Sequence, residues 1–168
     1  GHGLYAGLMQ GWLLSRNPPE LLVPLPYEFE RLRAEATLGH DDLDIRQADH
    51  LDLLVSSAPG PGVLQDGRHL DLPDFAICRL GAAITSRGLA IVRHLEMHGV
   101  PVVNSSAAIA AARDKFRTLQ VLTMHGVPVP ATLQLAPPYS VDLVGSELGF
   151  PVVVKTRSGS RGTGVNLA

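Results

Sequence analysis

Short apolar runs alternate with amphipathic segments along this chain, and this alternation limits its possible folds more than any other feature. Residues 11–15 and 75–80 form strand-like runs, while residues 27–38 and 87–98 carry apolar side chains at helical spacing. A further strand-like run begins at Pro101. The strand at residues 75–80, the helix at residues 87–98 and the strand from Pro101 follow one another in the chain and indicate a crossover between parallel strands. The sequence therefore predicts an α/β layer structure with a parallel sheet, not a helix bundle or a β-sandwich.

Smaller elements fill the space between the predicted helices. Residues 43–45 and 50–55 alternate or run apolar as short strands do. Asp66-Gly67 predicts a tight hairpin within residues 64–70, because both residue types tolerate a positive φ. Aromatic and apolar residues near the start of the chain either cover this sheet or pack on a second subunit of a homo-oligomer.

The composition changes at Asn104, and we place a domain boundary there, between residues 1–103 and residues 104–168. Hydroxyl and amide side chains at this point can cap an alanine-rich helix. The second domain is predicted to contain, in chain order, helices at residues 107–113 and 114–125, a strand at 131–135, a helix at 139–148, a buried strand at 151–155 and a strand at 165–168.

Composition and charge argue against several classes of protein. The 14 basic and 16 acidic residues give a net charge of -2 and form no basic stripe, so we expect no nucleic-acid partner. The apolar stretches are short and the start of the chain lacks a signal-peptide pattern, so we expect no membrane span. Cys78 is the only cysteine and lies in an apolar run, which predicts a buried thiol and a reducing, cytoplasmic setting.

Residues 152–165 carry the strongest local signal for chemistry. Three glycines and two serines within residues 158–164 allow several backbone N–H groups to point inward at an anion, as in a phosphate-binding nest. The strand-like flanks predict a hairpin, and the glycine spacing matches neither a P-loop nor a Rossmann turn. Lys155, on the entering strand, can place its ammonium beside the same phosphates. A flexible hairpin without a ligand is the alternative that the spacing alone leaves open.

Isolated side chains give weaker signals. Lys115 and Lys155 are the only lysines against 12 arginines, which directs attention to both, although codon bias produces the same composition. Arg79 follows a predicted strand at a point where open sheets form ligand crevices, so it is a candidate for binding a substrate carboxylate; a structural salt bridge is the alternative. His94 and His98 lack an acidic residue at the spacing of a zinc protease, so no metal site is predicted.

Five segments form a recognisable set: DFAICRLGAAIT at residues 74–85, EM at 96–97, VNS at 103–105, ARDKFR at 112–117 and the run from residue 151 through the glycine-rich loop. Together they resemble the RimK-like ATP-grasp ligases, a family that includes the enzyme adding glutamate to the C-terminus of ribosomal protein S6. The resemblance covers most of residues 74–168, and the part before it matches only loosely, through Leu13-Leu14-Ser15-Arg16.

The resemblance implies a pre-ATP-grasp domain with a small parallel sheet, followed by the opening segment of an ATP-grasp nucleotide-binding domain. It implies that Lys115 and Lys155 approach ATP. It further implies that the loop covers the phosphates of ATP through Ser158, Gly159, Ser160, Arg161, Gly162, Thr163 and Gly164. The implied reaction uses ATP to activate a carboxylate as an acyl phosphate, which an amine attacks to give a peptide-like bond, with Mg²⁺ neutralising phosphate charge.

The metal ligands and the adenine-holding strand of this family lie downstream of the segments matched here. We therefore expect this chain to be the N-terminal portion of a carboxylate–amine ligase, a truncated or proteolytic fragment that is inactive alone. An amino acid, a peptide or a protein tail can each be the substrate within such a family. The alternative is a non-catalytic α/β binding or oligomerisation module.

Overall fold

The computed structural model describes residues 8–17, 21–57, 60, 62–81, 84–156 and 164–168. The chain divides into two compact units, Gly1–Ser106 and Ala107–Ala168. Within the ranges just given, no helix is both long enough and apolar enough to span a membrane.

The first unit is built from short strands and two longer helices. In chain order its elements are β1 (Gln10–Ser15), α1 (Tyr27–Leu38), β2 (Asp42–Gln47), a 3-10 turn (Ala48–His50), β3 (Asp52–Leu53), β4 (Val63–Gln65), β5 (Arg68–His69), β6 (Phe75–Arg79), α2 (Ser86–Met97) and β7 (Val102–Val103). The first helix has the bounds that its periodicity predicted, and β6, α2 and β7 form the predicted crossover.

Four strands of the first unit form a parallel sheet in the order β2–β1–β6–β7. The other three, β3, β4 and β5, form an antiparallel sheet in which Asp66-Gly67 makes the predicted turn between β4 and β5. The prediction of an α/β fold with a small parallel sheet is confirmed. The parallel strands also bring their carboxyl ends to one edge of the sheet.

A core of apolar side chains joins α1 to one face of the parallel sheet. Leu13, Leu43 and Phe29 are at most 5% exposed and cluster with Leu22. Successive strand residues alternate between faces, so the inward positions of the strands supply this layer while their neighbours face the other way. Burial of each such side chain contributes about 1.5 to 3 kcal/mol, which holds the helix against the sheet.

Helix α3 (Ser106–Arg113) begins at the last residue of the first unit and continues into the second. The second unit then contains α4 (Lys115–Met124), α5 (Val141–Leu148), β8 (Val153–Lys155) and β9 (Val165–Leu167). Strands β8 and β9 pair antiparallel, as the predicted hairpin requires.

Side-chain oxygens determine where several helices begin. Thr85 Oγ1 accepts a hydrogen bond from the Gly88 N–H at 2.9 Å and caps α2. Ser140 Oγ accepts from the Leu143 N–H at 3.1 Å and caps α5 in the same way. Each cap satisfies an N–H that the first helical turn leaves without a partner.

One prediction for the second unit is wrong and another is wrong in part. Residues 131–135 form no strand, and no strand in the described ranges pairs with them. Their alternating pattern suits a strand, but Pro130 lacks an N–H and an extended segment needs a neighbour to form a ladder. Strand β8 is present, but all three of its residues are exposed rather than buried.

Candidate functional site

The hairpin β8–β9 forms the frame of the predicted phosphate-binding loop. Val153 pairs with Leu167 and Lys155 pairs with Val165, and the Thr156 N–H then donates to the Gly164 carbonyl oxygen at 3.1 Å. Thr156 and Gly164 therefore close the hairpin. The predictions for Ser158, Gly159, Ser160, Arg161, Gly162 and Thr163 lie outside the described residues.

Gly164 is required by the geometry at the closing pair of the hairpin. Its φ is +71°, a left-handed conformation that side chains other than glycine rarely adopt. A Cβ at this position would lie 2.6 Å from Thr156 Cγ2 and 2.9 Å from Thr156 Oγ1. The glycine thus allows the two strands to approach closely at the point where the loop begins.

Lys115 is positioned by the start of α4. Asp114 Oδ1 accepts hydrogen bonds from the N–H groups of Phe116 and Arg117 at 3.1 and 3.2 Å, which caps the helix directly beside the lysine. From this first helical position Lys115 Nζ donates to the Thr156 carbonyl oxygen at 3.2 Å. Its ammonium therefore lies at the closing pair of the hairpin, where Thr156 directly follows Lys155 in the chain.

Lys155 is the last residue of β8 and is exposed. Because side chains alternate along a strand, it shares a face of the hairpin with Val153, Val165 and Leu167. The structure thus brings the amino group of one lysine to the end of the strand that carries the other. That both ammonium groups contact one triphosphate stays a prediction.

Arg79 ends β6 and forms an ion pair. Its Nη2 lies 3.3 Å from Oε1 of Glu28 in the first turn of α1, and each side chain is 49% exposed. A hydrogen bond from the Glu28 backbone, followed by one from Arg79, lowers the pKa of the Glu28 carboxyl. The salt bridge weighed as the alternative is therefore present, and substrate binding by Arg79 stays a prediction.

Two family models match nearly the whole chain in consecutive parts. The model of the RimK pre-ATP-grasp domain matches residues 9–109, and that of the RimK-like ATP-grasp domain matches residues 112–168. The chain belongs to the RimK-like ATP-grasp family. The family predicted from the sequence is thereby confirmed, and the hairpin and both lysines fall within the ATP-grasp match.

Curated relatives of this RimK-like chain carry the name probable alpha-L-glutamate ligase. The protein from Teredinibacter turnerae is 39% identical over 157 residues, which cover 93% of this chain and 50% of the relative. The protein from Marinomonas sp. is 38% identical over 158 residues, with 93% of this chain and 50% of the relative covered. The chain spans about half the length of the curated relatives it matches.

Solved structures show the same ATP-grasp fold. A RimK domain protein from Sphaerobacter thermophilus matches with a TM-score of 0.66 at 24% identity, over 94% of this chain and 54% of that one. D-alanine–D-alanine ligase from Bacillus anthracis matches with a TM-score of 0.53 at 19% identity, over 96% of this chain and 49% of that one.

The remaining reactive side chains of this RimK-like chain form no second site of the kinds considered from sequence. The rings of His94 and His98 lie 4.7 Å apart, but the described residues include no group of three metal-ligating side chains around them or elsewhere. Cys78 is half-buried rather than fully buried, and burial, followed by the charge of Glu96, raises its pKa to about 12. The thiol therefore stays protonated at neutral pH and is a poor nucleophile.

Sequence reasoning missed the residue that joins the two lysines. The contact of Lys115 uses the backbone carbonyl of Thr156, and a backbone oxygen gives no side-chain signal in a sequence. Glu28 was also missed as the partner of Arg79, because 51 residues separate them along the chain. The crossover from β1 through α1 to β2 gives a signal for this contact, because a helix that follows a parallel strand begins near the carboxyl end of that strand.

Proposed function

We propose that this chain is the N-terminal part of an ATP-dependent carboxylate–amine ligase that makes a peptide-like bond. The observation that supports it best is the contact of Lys115 Nζ with the Thr156 carbonyl at the closing pair of the hairpin. This contact brings the Lys115 ammonium to the hairpin that Gly164 closes. Lys155 directly precedes Thr156 in the chain. Such a set of groups suits the phosphates of a nucleotide.

Each of these groups has a separate proposed role. The ammonium groups of Lys115 and Lys155 hold the phosphates of ATP as compact point charges. The loop of residues 158–164 covers these phosphates and offers backbone N–H donors where negative charge develops. Gly164 keeps the two ends of the loop close, since any larger residue would meet Thr156.

The proposed reaction has two steps. A substrate carboxylate oxygen takes the γ-phosphoryl group of ATP, which forms an acyl phosphate and releases ADP. The amine nitrogen of a second substrate then attacks the acyl carbon, phosphate leaves, and the nitrogen loses a proton. Because the relatives are named glutamate ligases, we propose glutamate as the amino acid substrate and a peptide or protein tail as its partner.

We include Mg²⁺ in the proposal because the ATP-grasp family implies its use. Among the residues that the structure describes, no group of three His, Cys, Asp or Glu side chains suits a metal ion. We therefore assign no metal ligand within this chain and expect those ligands outside it. The roles proposed for the two lysines do not depend on them.

The proposal has three further parts. We propose that residues 1–103 and 104–168 are separate domains, that Arg79 holds a substrate carboxylate, and that the protein acts in the cytoplasm. The protonated thiol of Cys78 and the absence of a second cysteine in the sequence are compatible with a reducing compartment.

Nucleotide binding by the full-length protein that carries this chain tests the proposal. We expect Lys155→Ala and Lys115→Ala each to weaken ATP binding about tenfold, because each removes a charged contact to phosphate. Arg93→Ala, which removes an exposed positive charge from α2, serves as the control and leaves the affinity unchanged. Equal ATP affinity in all of these variants would contradict the roles of the lysines. A full-length protein that forms no ADP with ATP, glutamate and peptides present would favour the non-catalytic module.

A further inference from the structure

Three polar side chains lie in one row across the carboxyl end of the parallel sheet. Ser15, the last residue of β1, pairs with Gln47 on one side and with Arg79 on the other. Residues paired across parallel strands point to the same face of a sheet. We name these residues, Gln47, Ser15 and Arg79, the polar row.

The polar row borders the apolar core beneath α1. Two positions earlier on the same three strands lie Ile45, Leu13 and Ile77, which belong to or pack against the core cluster of Phe29. The face of the sheet thus changes from apolar to polar at its carboxyl edge. Ion pairing of Arg79 with Glu28 places the first turn of α1 beside this edge.

The row also lies where the strand order reverses. From β1 the chain passes to β2 on one side of the sheet and later reaches β6 on the other side. In open α/β sheets, ligands bind in the crevice outside the carboxyl ends of the two strands at such a switch point. Ser15 and Arg79 end those two strands.

One member of the row carries a buried acceptor without a partner. The Gln47 side chain donates through Nε2 to the Arg16 carbonyl oxygen at 3.0 Å, but its Oε1 is buried and has no hydrogen-bond partner among the described residues. Such unmet acceptors are uncommon in folded proteins and call for an explanation. A ligand that brings an N–H donor to Oε1 would supply the missing bond.

The opposite end of the row offers a cation. Arg79 is half-exposed, and its hydrogen bond within the described chain is a single one of 3.3 Å to Glu28. A guanidinium has five N–H donors arranged as a fork, so it can also hold a carboxylate. Strand spacing puts β2 and β6 about 10 Å apart, and Ser15, the shortest side chain of the three, lies between them.

We propose that the polar row binds an α-amino-acid head group, with its carboxylate on Arg79 and its neighbouring N–H donor on Gln47 Oε1. Both a free amino acid and the carboxyl terminus of a peptide present this pair of groups. The choice of a glutamate probe rests on the proposed function, whereas the site itself rests on the register, the burial and the contacts of the three residues.

Three small probes separate the two halves of the proposed site. L-glutamate carries an ammonium group, N-acetyl-L-glutamate carries an amide N–H as a peptide terminus does, and glutarate carries neither. Calorimetric titration of the chain with each probe, without nucleotide, gives three dissociation constants. We expect L-glutamate or N-acetyl-L-glutamate to bind more tightly than glutarate, and the tighter of the two identifies a free amino acid or a peptide terminus as the ligand.

Variants then assign each half of the site to its residue. We expect Gln47→Leu to remove the preference over glutarate and Arg79→Gln to weaken all binding about tenfold. Arg79→Lys, which keeps the charge but loses the fork, should weaken binding less and covers the case in which Arg79→Gln fails to fold. Gln10→Leu at the opposite end of β1 and Arg93→Gln on α2 are matched controls that should bind as the unmodified chain does.

Several results would overturn the proposal: no binding of any probe at millimolar concentration, equal affinity for all three, or unchanged binding in Gln47→Leu and Arg79→Gln. Because the titrations contain no nucleotide, such a failure leaves the proposed ATP site standing. Conversely, ATP binding that is insensitive to Lys115 and Lys155 leaves the polar row untouched.

Discussion

The two units of this chain differ in how their side chains are packed. Every buried apolar residue that the structure describes lies in the first unit, among them Leu13 and Ile91, which are fully buried. In the second unit no described residue is buried, and large apolar side chains such as Phe150 and Leu167 are more than half exposed. The first unit is therefore held by a core, whereas local signals, chiefly helix caps and a hairpin, determine the elements of the second.

The difference in packing affects the polar row and the lysine pair as well as the stability of the two units. The polar row stands on a packed sheet, so its geometry is fixed by core residues beneath it. Lys115 directly follows a helix-capping residue and donates to a backbone carbonyl. Regions with few buried apolar contacts open more easily than a core does. We therefore expect the polar row to be more rigid than the lysine pair at the β8–β9 hairpin.

The largest predicted effect tests whether the core is confined to the first unit. Leu13→Ala should lower the free energy of unfolding by about 2 to 5 kcal/mol, because it leaves a cavity under α1. Val154→Ala in β8 should change it by less than about 0.5 kcal/mol, since Val154 is 53% exposed. Trp12, the only tryptophan, reports denaturant unfolding of the first unit by fluorescence, and circular dichroism reports both units. Equal losses in the two variants would refute the contrast.

A second prediction compares the hairpins of the two units. Gly67 and Gly164 both have positive φ, but only Gly164 faces a close neighbour, since a Cβ at Gly67 meets nothing within 4 Å. Gly67→Ala should cost about 1 kcal/mol and Gly164→Ala more. Replacing Thr156 by alanine in the Gly164→Ala background removes the Cγ2 contact and should restore part of the loss. Hydrogen exchange at the β4 and β5 amides measures the loss in Gly67→Ala, and exchange at the β8 and β9 amides measures the loss and its rescue in the Gly164→Ala variants. An absence of rescue would mean that the close approach to Thr156 does not cause the loss.

The last prediction is a pH dependence that belongs to the first unit. Burial raises the pKa of Cys78 from 9.0 to about 12, so the unfolded chain loses this proton at lower pH than the folded chain does. The thiol therefore favours folding up to about pH 9, and its contribution is lost as the pH rises toward 12. The midpoint of Trp12-detected unfolding should fall between these pH values, and it should fall less in Cys78→Ala. An identical slope in both proteins would count against the burial of the thiol.

Local patterns predicted much of the fold. The helical spacing of Phe29, Leu32 and Ala36 gave the bounds of α1, and Asp66-Gly67 gave the β4–β5 turn. Burial was harder to predict, because the same run of branched residues suits a covered and an uncovered strand. Val153 and Val154 therefore led to a prediction of a buried strand that the structure contradicts.

The candidate sites divide in the same way. Lys115 and Lys155 stand in contiguous motifs, so the sequence could indicate them without any knowledge of packing. Of the polar row, the sequence indicated only Arg79. The row as a set could not be predicted, because its members come together through strand register over separations of 32 and 64 residues. The partners of Gln47 depend on that register, and no local pattern encodes it.

The double pairing of Ser15 has a consequence for any redesign of this sheet. One extra residue inserted within β1 would turn every later side chain of that strand to the opposite surface. Ser15 would then leave its place between Gln47 and Arg79, and Leu13 would be drawn out of the layer under α1. The length of β1 is thus constrained from two sides at once, so chimeras with other members of the family should exchange this strand only with one of equal length.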